Sequence, residues 1–138
     1  MKVVLRVLTG ALAALAIAVS GPALSAHATS YHFETLWSIN AGHLQACRVP
    51  MPATKPFTIK VRVDARYAKS RVNGVAWASH NGTQVGTKWT SGWVNKGHVS
   101  AVGTVHVPRG SAYRFSGGIG TGAMGNGGNA KARYIQYC

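Results

Sequence analysis

Histidines and carboxylates are the side chains of this sequence that could act as general acids and bases. Beyond residue 28 the chain has two carboxylates, Glu34 and Asp64, and five histidines: His32, His43, His80, His98 and His106. A cationic secreted ribonuclease needs two histidines, or a histidine and a glutamate, beside cations that hold phosphate. These residue types are present, but their spacing carries no catalytic signature. Ribonuclease activity therefore ranks third among the functions that the sequence allows.

Metal and cofactor sites are not predicted. No histidine pair has the helical i, i+4 spacing or the Cys-x-x-Cys company of a zinc site. His98 and His106 share one face of a predicted strand, yet they are eight residues apart, which is roughly 26 Å along a strand. Gly120, Gly122 and Gly125 match G-x-G-x-x-G, but the chain stays glycine-rich where a dinucleotide site needs a helix. We expect no catalytic residue, no metal and no cofactor.

Basic residues form the strongest chemical signal, and the stretch FTIKVRVDARY at residues 57–67 shows it most clearly. Every second residue is apolar, and successive side chains of a strand point to opposite faces. Lys60, Arg62 and Arg66 should therefore stand in one outward row, with Asp64 between them as a local counter-ion. The apolar residues of the stretch predict a core strand.

The charge balance favours an anionic partner. Residues 29–138 keep 13 of the 15 Lys and Arg residues against 2 acids, which leaves a formal charge of +11. The cations are spread over many predicted strands and turns, whereas charge that only keeps a protein soluble usually comes with comparable numbers of acids. We expect an acidic protein partner or an anionic cell-envelope polymer; nucleic acid is possible, but no motif supports it.

Aromatic residues near residue 30 form a second candidate surface. The segment YHFETLWSI alternates, so Tyr31, Phe33, Trp37 and Ile39 are predicted to share one face of a first strand. Such a strand can pair within its own sheet or add to the sheet edge of a partner. Trp93, between glycines, is predicted to lie in a loop and to be available for surface contact. The predicted binding residues are Tyr31, Phe33, Trp37, Lys60, Arg62, Arg66 and Trp93.

Period-two alternation recurs along residues 29–138, and no segment shows amphipathic helical spacing over more than two turns. The fold class is therefore all-β, a small antiparallel β-sandwich or barrel with one disulfide. The clearest hairpin turns at Asn81-Gly82, a pair that favours a type I′ turn. The register of this hairpin predicts the pairs His80 with Thr83, Ala78 with Val85, Trp77 with Gly86, and Trp89 with Gly74. Each tryptophan would then cover a glycine.

Three further segments are assigned from their patterns. Residues 98–107 alternate and are predicted to form a strand with Val99, Ala101, Val105 and Val107 pointing inward. Residues 117–128 are rich in glycine and are predicted to form a mobile loop that could wrap a partner. Residues 131–138 are predicted to form the last strand.

An export signal is predicted at the N-terminus. Lys2 and Arg6 precede an apolar run, and A-H-A at residues 26–28 fits the A-x-A rule for cleavage. The run is shorter than the roughly 20 apolar residues of a membrane-spanning helix, and no later segment reaches that length. We predict a secretory signal peptide at residues 1–28 and a secreted, extracellular single all-β domain at residues 29–138.

Cys47 and Cys138 are the two cysteines of the chain, and an exported protein can oxidise them. A bridge would close a loop of about 92 residues and stabilise the fold by about 4 to 5 kcal/mol in the chain-entropy model. It would also hold Cys138, the last residue, in place. A free thiol or an intermolecular bridge remains the alternative.

The aromatic segment Tyr31 to Ile39, the Cys47 and Cys138 pair and the strands between them resemble small exported actinobacterial proteins. In size and layout the chain is similar to the linker subunit of umbrella toxin particles, which joins a lectin subunit to the stalk of a large antibacterial toxin. The resemblance implies a secreted non-enzymatic adaptor that binds protein, and it carries over no functional residue. The alternative is a freestanding cationic antibacterial or envelope-binding protein.

Overall fold

The alternation of apolar and polar residues forms eight strands in the computed structural model, which describes residues 30–138. The strands are β1 (Glu34–Ile39), β2 (Gly42–Val49), β3 (Phe57–Asp64), β4 (Val72–His80), β5 (Thr83–Val94), β6 (Gly103–Val107), β7 (Tyr113–Gly120) and β8 (Gly125–Ala130). One 3-10 turn, Ala132–Tyr134, follows β8. The predicted signal peptide at residues 1–28 lies outside the described residues. Within residues 30–138, no helix has the length and apolar character needed to span a bilayer.

The strands form two antiparallel sheets, which we call sheet 1, with the order β1-β2-β3-β6, and sheet 2, with the order β5-β4-β7-β8. The sheets face each other and do not close, so the fold is a sandwich rather than a barrel. Ile59, Val61 and Val63 of β3 are fully buried against Phe115 of β7 and their neighbours. The prediction that β3 is a core strand is confirmed. Tyr67 is 77% exposed because β3 ends before it.

The β4–β5 hairpin turns at Asn81 and Gly82, both with positive φ, as predicted. The three pairs next to the turn, from His80 with Thr83 to Ala78 with Val85, have the predicted register, and the later ones do not. A register shift near Gly86, whose φ is 71°, places Trp89 opposite Ala76 rather than Gly74. The indole of Trp89 instead covers Gly103 of sheet 1. The predicted pairs of Trp89 with Gly74 and of Trp77 with Gly86 are therefore wrong, and a Cβ added at Gly86 would meet no atom within 4 Å.

The first strand contains a bulge that alternation could not reveal. Glu34 and Thr35 pair with Ala46 and Gln45, but Trp37 pairs with Leu44, so Leu36 is an extra residue. The prediction that Tyr31, Phe33 and Trp37 share one face is therefore wrong. Trp37 packs inward, and β1 pairs within its own sheet.

Three assignments near the C-terminus are corrected. Residues 117–128 are mostly strand, because β7 and β8 pair through their glycines and only residues 121–124 form the loop. Residues 131–138 contain the 3-10 turn and one bridge from Tyr137 to Arg48. The strand predicted over 98–107 begins at Gly103, so Val99 and Ala101 are exposed, whereas Val105 and Val107 are buried as predicted. The Cys47–Cys138 disulfide is present.

Candidate functional site

The outer surface of sheet 1 around Lys60 and Arg62, which we call the basic face, carries four of the predicted binding residues. Both side chains are fixed by neighbours on adjacent strands. The Lys60 ammonium donates a hydrogen bond to Thr104 Oγ1 at 2.9 Å, and Arg62 Nε donates one to Gln45 Oε1 at 2.9 Å. The two cations therefore present their charge from defined positions.

The other two members of the basic face, Tyr31 and Phe33, cover these cations. The Phe33 ring lies 4.2 Å from Arg62 Cζ, and Lys60 Nζ lies 5.9 Å from the Tyr31 ring. Cations over aromatic rings attract the ring electrons, and this contact explains why the segment before β1 lies against sheet 1. Partial burial lowers the pKa of Arg62, yet a guanidinium remains charged.

Arg66 lies beyond the end of β3 and is bound to Asp64. Asp64 is 4% exposed and accepts hydrogen bonds from the Arg66 backbone N–H, Nε and Nη2, the last at 2.6 Å. The hydrogen bond from the guanidinium is the main reason that the pKa of Asp64 is lowered. Asp64 is thus the counter-ion that the sequence predicted, and it neutralises one cation of the predicted row.

Trp37 and Trp93 lie away from the basic face. Trp37 stacks on Phe115 between the sheets, with ring centres 6.1 Å apart. Trp93 belongs to strand β5 rather than to a loop; it is 47% exposed, and Arg71 lies 4.7 Å above its ring. The structure therefore brings together Tyr31, Phe33, Lys60 and Arg62, and it separates the other three predicted residues from them.

Both acids of the described chain are already engaged. Besides the pairing of Asp64 with Arg66, Glu34 Oε1 accepts a hydrogen bond from the Gln136 backbone N–H at 2.6 Å. The Asp64–Arg66 contact is the one salt bridge among residues 30–138. No other cation of this part of the chain forms a salt bridge with a carboxylate.

A second basic surface, which we call the basic cleft, lies at one end of the sandwich. It is a cavity of about 420 Å³ with no acid among its lining residues. Five cationic residues line it: Arg48, Arg109, Arg114, Lys131 and Arg133. None of them was predicted as a binding residue, because they lie far apart in the sequence. In the sequence these residues have one property in common: each is a cation in a turn or near a strand end, with no acidic residue nearby.

The fold brings these cations together through the C-terminal segment. The Cys47–Cys138 disulfide ties the chain end to β2. Beside it, the Arg48 backbone N–H donates to the Gln136 carbonyl at 2.7 Å, and the Cys138 N–H donates to the Arg48 carbonyl at 3.1 Å. This attachment holds residues 131–133 next to the turn after β6, which carries Arg109.

Two of the histidines, His43 and His106, lie at opposite ends of β3. His43 pairs with Asp64 at one end of β3, and His106 pairs with Thr58 at the other. Six residue steps separate these positions, which corresponds to roughly 20 Å along the strand. Within residues 30–138, no three His, Cys, Asp or Glu side chains come close enough to hold a metal ion.

Comparison of the chain with protein-family models, with curated proteins and with solved structures found no match.

Proposed function

We propose that this protein is an exported, non-enzymatic adaptor that docks on an acidic surface of a protein partner through the basic face. The observation that carries the proposal is the engagement of both acids inside the chain, Asp64 by Arg66 and Glu34 by Gln136. Neither Lys60 nor Arg62 forms a salt bridge within residues 30–138, and an acidic partner supplies the missing carboxylates. Because hydrogen bonds and aromatic rings already hold Lys60 and Arg62 in place, these side chains lose less conformational entropy when the partner docks.

The distance between His43 and His106 supports a non-enzymatic role. A general acid and a general base must both reach one reacting group, within hydrogen-bond distance or through one water. His43 and His106 are the histidines whose rings bond to side chains of the outer surface of sheet 1, namely Ser38 and Thr58. Their separation of roughly 20 Å along β3 keeps them from acting on the same phosphate.

Capture from culture supernatant tests the adaptor role. The full chain is expressed with a C-terminal tag in its natural host, the tagged protein is collected outside the cells, and co-purifying proteins are identified by mass spectrometry. The variant Lys60→Gln/Arg62→Gln should lose a stoichiometric acidic partner. The matched variant Lys69→Gln/Lys88→Gln, which removes the same charge from exposed positions elsewhere, should retain it. Recovery of the protein alone at every salt concentration would contradict the proposal.

A freestanding cationic antibacterial or envelope-binding protein is the second candidate, favoured by the basic cleft. In that case the purified protein alone should bind or kill target cells, and both effects should weaken steeply with added salt. Purified protein that is inert in this assay removes the candidate. A gel assay on bulk RNA tests the remaining ribonuclease alternative in the same preparation.

A further inference from the structure

The basic cleft is a built cavity with a single sign of charge. Its volume of about 420 Å³ falls in the range typical of small-ligand sites. We propose that it binds a phosphodiester chain whose repeating units are polyols or sugars. The residues involved differ from those of the basic face, so this proposal stands separately from the adaptor role.

The positive charges of the basic cleft favour the binding of an anion. Arg48, Arg109, Arg114, Lys131 and Arg133 share one cavity, and none of the lining residues is an acid. Like charges held at short range raise the free energy of the folded protein, and a bound anion removes this cost. Cations that served only solubility would gain nothing from convergence on one cavity.

Backbone carbonyls hold three of the arginines in place: Arg109 and Arg114, described first, and Arg48. Arg109 donates from Nε to the Lys55 carbonyl at 2.7 Å and from Nη2 to the Pro52 carbonyl at 3.1 Å. Arg114 Nη1 donates to the Tyr113 carbonyl at 2.8 Å. These neutral acceptors use only part of the five N–H donors of each guanidinium, so the positive charge and the other donors remain for a ligand.

Arg48 is fixed in a similar way. Its Nε donates to the Ile135 carbonyl at 3.3 Å, and its Cζ lies 4.0 Å from the Tyr137 ring. The paired N–H donors of a guanidinium match the geometry of phosphate oxygens. An arginine that is already held in place loses less entropy when it binds. The cleft is therefore organised for phosphate before any ligand enters.

The aromatic rings of the cleft argue against nucleic acid. Single-stranded nucleic acids bind by stacking their bases on free aromatic faces. Here the Phe57 ring has Arg109 Cζ at 4.3 Å and Arg48 Cζ at 5.6 Å, and the Tyr113 ring packs on His80 at 4.6 Å. Both rings that line the cleft are covered by cationic or imidazole groups, so neither leaves a free face for a base inside it. Tyr134, which is 72% exposed beside Lys131 and Arg133, lies outside the lining, and the DNA comparison below tests whether it stacks on bases.

A neighbouring cavity fits the units between the phosphates. It has a volume of about 440 Å³, shares Ser111 and Arg114 with the basic cleft, and adds the amide side chains of Asn81 and Asn129. Hydroxyl and amide groups donate and accept hydrogen bonds without charge, which suits the hydroxyls of a polyol or sugar. The two cavities adjoin at Ser111 and Arg114, and the other residues that line the second cavity are uncharged.

Calorimetric titration with purified poly(glycerol phosphate) tests the proposal, with single-stranded DNA of equal charge as the comparison ligand. The variant Lys131→Gln/Arg133→Gln changes two exposed side chains and should weaken poly(glycerol phosphate) binding roughly tenfold or more. It should also reduce the slope of log affinity against log salt by about 1.5. The control Lys69→Gln/Lys88→Gln should change the affinity much less. Arg114→Gln, at the junction of the two cavities, should weaken binding as well.

Circular dichroism and thermal melting confirm that each variant is folded before binding is compared. Absence of poly(glycerol phosphate) binding by the unaltered protein at low salt overturns the proposal. Equal losses in the cleft variant and the control variant also overturn it, because the attraction would then come from net charge alone. DNA binding that is as tight and as sensitive to the cleft variant would assign the cleft to nucleic acid instead.

Discussion

Gly103→Ala tests the contact that joins the two sheets beside β6. An added Cβ at Gly103 would lie 2.0 Å from Trp89 Nε1, 2.1 Å from Cδ1 and 2.6 Å from Cε2. Ordinary contacts of a Cβ begin near 3.4 Å, so the indole or the strand must move by about 1.4 Å. The indole ring is rigid and β6 is paired with β3, so neither group can move without disturbing its other contacts.

The cost of the substitution follows from two opposing effects. Overpacking costs about 1 to 3 kcal/mol, and this short contact with a rigid ring belongs at the upper end. The loss of unfolded-state freedom on replacing glycine offsets about 0.4 to 1 kcal/mol. A net destabilisation of about 2 kcal/mol lowers the Tm by about 8 to 12 °C for a domain of this size.

Thermal unfolding followed by circular dichroism measures this effect. Gly125→Ala is the matched control, because its Cβ would meet its nearest atom at 3.7 Å, an ordinary contact; its Tm should stay equal or rise slightly. In a Trp89→Ala background the Gly103→Ala penalty should disappear, since the indole is gone. A penalty of the same size in both backgrounds would refute the assigned contact.

Three further substitutions have defined outcomes. Asp64→Asn removes a carboxylate whose pKa is lowered by Arg66, so its destabilisation should be full near neutral pH and fade as the pH falls below about 4; melts that show an undiminished difference at pH 2 would contradict this account. Replacing both Cys47 and Cys138 with alanine opens a loop with a sequence separation of 91 and should cost about 4 to 5 kcal/mol in urea unfolding, whereas a loss under 1 kcal/mol would show that the bridge constrains little. Trp37→Ala should cost up to about 3 kcal/mol in the same assay, because the ring stacks between the sheets, and a neutral result would place the ring in solvent.

The alternation of apolar and polar residues predicted a strand correctly where one face of the strand is buried in the core and the other faces solvent. In β3 the apolar residues face the core and the charged residues face outward, so alternation identified Ile59, Val61 and Val63 correctly. The Asn81-Gly82 turn was predicted equally well, because both of its residues have positive φ angles and Asn-Gly is the pair that favours such a turn. Both features depend on residues close together in the sequence.

Bulges limited the prediction of side-chain direction. One extra residue at Leu36 reverses the faces of the following side chains, so Trp37 points inward although Phe33 points outward. A similar shift near Gly86 moved Trp89 to a new partner. Alternation contains no information on where a strand accepts an extra residue, because that depends on the neighbouring strand.

The glycine-rich β7–β8 hairpin was missed because its reason is tertiary. A Cβ added at Gly127 would lie 2.4 Å from the Gly117 carbonyl oxygen, and a Cβ added at Gly117 would lie 3.2 Å from the Trp37 ring. Glycine is required here so that the backbones and an indole can approach closely. Composition alone gives the same signal for such a strand as for a mobile loop.

Two surfaces each gather several of the cations of the protein, and different contacts hold the cations of each surface in place. On the basic face, Lys60 and Arg62 are bonded to side chains of sheet 1 and covered by aromatic rings. In the basic cleft, the arginines are held mainly by backbone carbonyls of turns and by the C-terminal segment. Because the two sets share no cationic residue, one can be neutralised by substitution while the other stays intact. A protein that holds a protein partner on one surface and a phosphate polymer in the other would join the two, which is the task of an adaptor, and the two variant pairs distinguish these contacts.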